Sequence, residues 1–175
     1  MRIRMVWLAA LLLFLSGCTA RSVVWETVDD EVPLEAASWL EGAKVLSFAV
    51  PADAAEQAQE ERPGLAVYEQ TDRDYEITSE VLLASDLGSA VRRVSGFDAD
   101  QLEILKTSRC GREEYLFAWY AGGDEGGRLC RASLMPDGLR WYAVTFRVRE
   151  GLGTLYDNTA KLVFSSITLS EPGEV

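Results

Sequence analysis

Histidine, the side chain that most readily moves protons near neutral pH, is absent from all 175 residues. Its absence removes Ser-His-Asp and Cys-His nucleophilic catalysis and His-ligated zinc. No Gly-x-Ser-x-Gly elbow occurs. The run Gly122-Gly123-Asp124-Glu125-Gly126-Gly127 has no Lys-Ser/Thr ending and carries two acids, so it reads as a hairpin loop and not as a phosphate cradle. Carboxylates remain. Paired carboxyl groups can support glycoside hydrolysis, but among 28 Asp and Glu residues some pair always looks suitable. Calcium wants several oxygen ligands. Asp72 with Asp74, or Asp124 with Glu125, offer them in turns, yet neither pair has EF-hand spacing, and solvated turn carboxylates are the expectation. Lys44, read on a strand, and Lys161, read on the exposed side of the last helix, have no evident partner nearby. No catalytic residue, metal site or cofactor is therefore expected.

Thiols are the other reactive groups. Cys110 and Cys130 do not form a C-x-x-C redox pair. If residues 114–121 and 128–135 pair around Asp124, Cys130 lies opposite Ala118, and Cys110 lies beyond the far end of that strand. About eight residues at roughly 3.3 Å each is far above disulfide reach. Two separate thiols are expected, with Cys130 small and buried beside Leu116 and Ala132. A Cys110–Cys130 bridge would need a bulge or a folded-back loop.

The third cysteine stands in a different setting. Arg2 and Arg4 precede an apolar run at residues 6–15, and Leu15-Ser16-Gly17-Cys18 follows. A basic start, a short apolar core and small residues at a cut site describe a secretory signal. The run is too short to span a bilayer, which takes about 20 residues. Leu-Ser-Gly-Cys resembles the lipobox of bacterial lipoproteins. That resemblance implies a diacylglyceryl group on Cys18, cleavage between Gly17 and Cys18, and stable anchoring by two acyl chains. Thr19, which is not Asp, would permit outer-membrane sorting in a two-membrane cell; in a one-membrane cell the chain would sit on the outer face.

Removing residues 1–17 leaves 15 basic against 28 acidic residues, a net charge of −13. Such a surface repels nucleic acid and anionic headgroups, so lipid on Cys18 must do the membrane binding. The remaining 158 residues suit one domain and a tether: an acidic tether over 18–40, a single domain over 41–170, and a tail over 171–175.

The elements that position these groups follow from periodicity. Residues 44–50 read as a strand that Pro51 ends. Residues 53–61 read as a short helix, with Asp53 and Glu56 at capping-box spacing. Residues 65–70 and 75–83 read as a hairpin. Ser85 caps a helix to Val94 whose stripe is Leu87, Ala90, Val91 and Val94, and Gly96 ends it. Strands follow at 102–108, 114–121, 128–135 and 139–149, and a helix at 155–167 presents Tyr156, Ala160, Val163, Phe164 and Ile167 on one face. Tyr115, Phe117 and Trp119 alternate along one strand, and Trp141 lies on a strand beside its return. These rings are expected in the core, but if that sheet face were open, Trp119 and Trp141 would form the binding surface.

This order argues an α+β domain, an antiparallel β-sheet covered by amphipathic helices. Residues 142–146 (Tyr-Ala-Val-Thr-Phe), then a loop, a helix and Phe164-Ser165-Ser166-Ile167, resemble the end of PsbP-like α/β/α sandwich domains. The resemblance implies a non-catalytic module that binds another envelope component or a ligand. A carboxylate-based hydrolase and a calcium-steadied adhesion module are the alternatives.

Overall fold

Among the described residues, ten strands pair as antiparallel neighbours and build two sheets. The computed structural model describes residues 25–30, 40–58, 62–122 and 126–173. Residues 1–24, Cys18 among them, lie outside the described residues, as do 31–39, Asp124 and Glu125. The strands are β1 (Trp25–Asp30), β2 (Val45–Pro51), β3 (Ala54–Gln57), β4 (Leu65–Gln70), β5 (Tyr75–Leu83), β6 (Ile104–Arg109), β7 (Arg112–Ala121), β8 (Arg128–Asp137), β9 (Arg140–Arg149) and β10 (Thr168–Ser170). Helices α1 (Leu87–Ser95) and α2 (Asp157–Ser166) complete the frame with a 3-10 turn at Ala99–Gln101. The large sheet runs β3-β4-β5-β9-β8-β7-β6 and the small one β1-β2-β10.

The large sheet is covered on both faces. Tyr142, Val144, Phe146 and Val148 of β9 share one core with Leu46 and Phe48 of β2 and with Ala160, Val163 and Ile167 of the α2 segment. Trp141 and Ala143 point the other way and share a second core with Phe117, Trp119, Leu134 and, from α1, Ala90 and Val91. Strand β9 sits near the middle of the sheet with both faces buried, so residues 141–146 are buried without a break. The small sheet and α2 cover one face and α1 covers the other, which is the expected α+β sandwich.

Several expectations need correction. Residues 54–57 form strand β3 on β4, not a helix, with Ala54 opposite Gln70 and Gln57 opposite Val67. An alanine-only stripe gives a helix little to bury, whereas β4 offers a row of unpaired backbone groups. Asp53 caps no helix; its carboxylate accepts from the Tyr75 hydroxyl at 2.7 Å and from Gln70 at 3.3 Å. Asp86, not Ser85, caps α1, accepting from the Ser89 amide at 2.8 Å, and Gly96 closes that helix with φ 80° as expected. The β7–β8 register differs by one residue: Trp119, not Ala118, faces Cys130, because Ala121 and Arg128 close a six-residue loop. One residue of slip exchanges the two faces of a strand.

Trp119 and Trp141 are 6% and 5% exposed, so they do not form an open surface. The α1 layer covers them, and the Trp141 indole donates to the Ala84 carbonyl at 3.2 Å. Cys110 and Cys130 are both free thiols. Cys110 and Gly111 have φ 51° and 75° at the tip of the β6–β7 hairpin, the two positive values that a two-residue type I′ turn requires. Cys130 is fully buried beside Ala132 on the α1 face, where burial pushes its thiol pKa up; Leu116 is on the opposite face. Lys44 and Lys161 both have partners. Lys44 is buried, with its ammonium on Glu171 and 3.9 Å from Asp137, and its backbone amide donates to the Tyr142 hydroxyl at 2.7 Å.

Candidate functional site

Residues 115–121 of β7 are apolar at every position, so both faces of that strand are apolar. Tyr115, Phe117 and Trp119 join the α1-side core. Leu116, Ala118 and Tyr120 face the α2 side, and there the covering layer stops short. Helix α2 packs against β2, over the middle of the sheet, and leaves β7 and β6 protruding past it. Tyr120 is 63% exposed and Leu105, on β6 opposite Leu116, is 62% exposed. The result is an open trough between the side of α2 and the protruding strands.

The trough has two adjoining sections that share Arg131 of β8. One encloses about 460 Å³, with Leu116, Ala118 and Phe164 as apolar lining and Arg109, Arg131 and Lys161 as its charged groups. The other encloses about 440 Å³ between Tyr120, Arg131, Glu150 and Asp157, against the start of α2. Both volumes fall in the range of ligand sites, roughly 300–1,000 Å³. Phe164, expected in the core, is half-buried here and forms the trough's helical wall.

Ion pairs hold the walls. Glu114, 1% exposed, accepts from Arg109 Nε at 2.8 Å and from the Ser133 hydroxyl at 2.8 Å. Arg109 Nη1 also donates to the Ser165 carbonyl at 3.2 Å, at the helix end where the dipole favours a cation. Strands β6, β7 and β8 are thereby tied to the end of α2. Midway along, Asp157 accepts from Lys161 at 2.7 Å and from Arg131 at 2.8 Å. These two bonds, Lys161's first, hold the Asp157 carboxyl below its ordinary value.

A lowered carboxyl pKa makes stability depend on pH in one direction. The ionised form is favoured in the folded state, so the contribution is present above the unfolded pKa of about 3.9 and is lost as pH falls through the folded value. The melting-temperature gap between the wild-type chain and Asp157→Asn should therefore be widest near neutrality and shrink below about pH 4. A gap unchanged down to pH 2 would show that Asp157 is not ion-paired.

Hydrogen-bonding partners hold the carboxyls of Asp86, Glu113, Asp157 and Glu171 below the ordinary carboxylate range. Among the described residues, no group of three or more His, Cys, Asp or Glu comes together to hold a metal. Asp74 is engaged by the Tyr156 hydroxyl at 2.9 Å and by Arg149 at 3.4 Å. Asp72 donates its backbone amide to Gln70. Sequence reasoning named Lys161 but not its partners, and it passed over Lys106, which pairs with Glu113 across β6 and β7. The signal for the trough was the unbroken apolar run at 115–121, which fills two faces when only one is certain to be covered.

No protein-family model matches the sequence, and no curated protein matches it. Solved structures do resemble it. Cyanobacterial PsbP (CyanoP) from Synechocystis superposes with TM-score 0.56 at 15% identity, over 89% of this chain and 98% of that one. The Saccharomyces cerevisiae Ran-binding protein Mog1p superposes with TM-score 0.53 at 11% identity, over 86% and 97%. LpqN of Mycobacterium tuberculosis, described as involved in cell envelope biogenesis, gives TM-score 0.47 at 12% identity, over 83% and 91%. With an antiparallel sheet between an α1 layer and a layer of α2 and the small sheet, the chain has the α+β sandwich fold of PsbP-like domains and Mog1p.

Proposed function

We propose that the mature chain is a lipid-anchored, extracytoplasmic binding module that seats a partner or ligand in the trough along α2 and performs no chemistry on it. The observation that carries this reading is the uncovered strip of Leu116, Ala118 and Tyr120 beside α2. Apolar surface left open in a groove, next to a basic rim, suits binding. Catalysis by carboxylates asks for a group poised as an acid, with a pKa raised toward neutrality. Asp157, the ion-paired carboxylate of this trough, is shifted the other way, which disfavours it as the acid of a carboxylate-based hydrolase. A calcium-steadied module is disfavoured because Asp74 is already paired with Arg149.

The anchoring half of the proposal rests on Leu15-Ser16-Gly17-Cys18. It places the domain in the cell envelope, at the outer membrane if the cell has one. Cys18→Ala should abolish incorporation of a fatty-acid analogue and leave the signal uncut. Equal labelling of the wild-type and mutant precursors would refute it. The binding half is tested by placing a photo-cross-linking side chain at position 118 in whole cells, with position 139 as control. Leu139 is also exposed, at 66%, but lies outside the trough. A discrete adduct at 118 and none at 139 is expected; matching patterns at both positions would sink the reading.

A further inference from the structure

Every charged side chain that lines the Leu116–Phe164 section of the trough is a cation, although the chain as a whole carries −11. Arg109 is committed to Glu114 and to the end of α2. Arg131 and Lys161 differ, since both converge on the single carboxylate of Asp157. Two cations on one anion leave one positive charge in excess beside the Leu116–Phe164 section, while Glu150 stands in the adjoining section. Arg131 and Lys161 are long side chains with further N–H donors, partly and largely exposed. The lining between them and the Arg109 end is Leu116, Ala118 and Phe164, which attracts an apolar group.

The start of β1 lies toward the same end of the sheets as the Glu150 section of the trough. Trp25, where β1 starts, pairs with Pro51. Two residues on, Asp53 accepts from the Tyr75 hydroxyl. Tyr75 pairs with Val148, and Glu150, just beyond, lines the trough. Seven Cα steps separate Cys18 from Trp25 and span at most about 25 Å. On the anchoring read above, that end of the sheet is held close to the lipid surface.

We propose that the trough seats an anionic single-chain amphiphile drawn from the membrane, its carboxylate or phosphate head between Arg131 and Lys161 and its tail on Leu116, Ala118 and Phe164. This rests on the binding reading for its location and adds the ligand class. Charge complementarity selects the head, because a headgroup oxygen placed between the two cations meets the excess positive charge. The apolar lining selects the tail. Long-range repulsion from the acidic surface sets a limit, so a molecule with one or two negative charges fits and a polyanion does not.

The test uses the whole mature chain with Cys18→Ser, purified without detergent, and calorimetric titration below micelle-forming concentrations. Decanoate is the probe, with acetate and 1-decanol as its head and tail controls. Decanoate should bind saturably at one site, acetate should not bind, and decanol should bind about tenfold more weakly. The double variant Arg131→Gln/Lys161→Gln should weaken decanoate by about tenfold and leave decanol unchanged. Ala118→Glu, at an exposed position that folding tolerates, should abolish both. Equal binding of decanoate and decanol, acetate binding as well as decanoate, or decanoate binding untouched by Ala118→Glu would each overturn the proposal. If decanoate fails to bind while the cross-linker at 118 captures a protein, the amphiphile is refuted and the binding reading stands. If both fail, both fall.

Discussion

Phe146→Ala is expected to lower stability by about 4 kcal/mol. Phe146 is 1% exposed on β9 and lies under the layer formed by β2 and α2. Its ring stacks on Tyr75 with centroids 5.2 Å apart, and Tyr75 packs in turn on Tyr156 at 5.0 Å. Tyr75 is fixed from above by its hydrogen bond to Asp53, so the rings around the lost phenyl group are not free to close the space. Deletion should therefore carry both the transfer cost and the cavity cost. Phe164→Ala is the internal control. That ring is half-buried at the trough wall, its space is already open to solvent, and truncation should cost only about 1–2 kcal/mol. Urea denaturation of the two variants checks the pair. Equal costs, or the reverse order, would mean that the sheet face assigned to the core is wrong.

Arg109→Met is expected to cost about 3–4 kcal/mol, clearly more than Glu114→Gln at about 1–2 kcal/mol. The asymmetry comes from burial. The Glu114 side chain is 2% exposed and the Arg109 side chain 22%. Removing the arginine strands a buried carboxylate with only the Ser133 hydroxyl and also frees the Ser165 carbonyl. Removing the glutamate's charge leaves a guanidinium that reaches water and still holds the end of α2. The double variant Arg109→Met/Glu114→Leu should recover much of the loss, since replacing both partners by apolar groups of similar volume is often neutral. A double variant as unstable as the sum of its parts would show that the pair is not coupled.

Much of this architecture is legible in the chain because local and global signals agree. The alternation through Tyr75, Ile77 and Val81 marks β5, and the helix over 87–95 has its stripe and its terminal glycine, although its cap is Asp86 and not the neighbouring Ser85. Signals failed where a segment's fate depends on a neighbour. Residues 54–57 look helical by capping spacing, yet they are recruited as a strand by the edge of β4. Trp119 and Trp141 are conspicuous, but α1 lies across them, and the open face of β7 belongs to the plainer Leu116, Ala118 and Tyr120. Which face of a doubly apolar strand stays open depends on where α2 stops, and nothing in residues 112–121 encodes that. Glu114 was equally hidden: a carboxylate among 28 acids carries no mark of burial until Arg109 and Ser133 are brought to it by strand pairing.

The central claim is that the trough is occupied in the cell, and footprinting reads occupancy without presuming the occupant. Hydroxyl radicals generated on intact envelopes and on the purified mature chain should label Tyr120 and Leu105 strongly, and the half-buried Leu116 more weakly, in the purified chain. In the envelope these three should be protected, while Leu139 and Leu83, exposed outside the trough, should be labelled alike in both. Equal labelling of Tyr120, Leu105 and Leu116 in the two samples would mean an empty trough and would contradict the account.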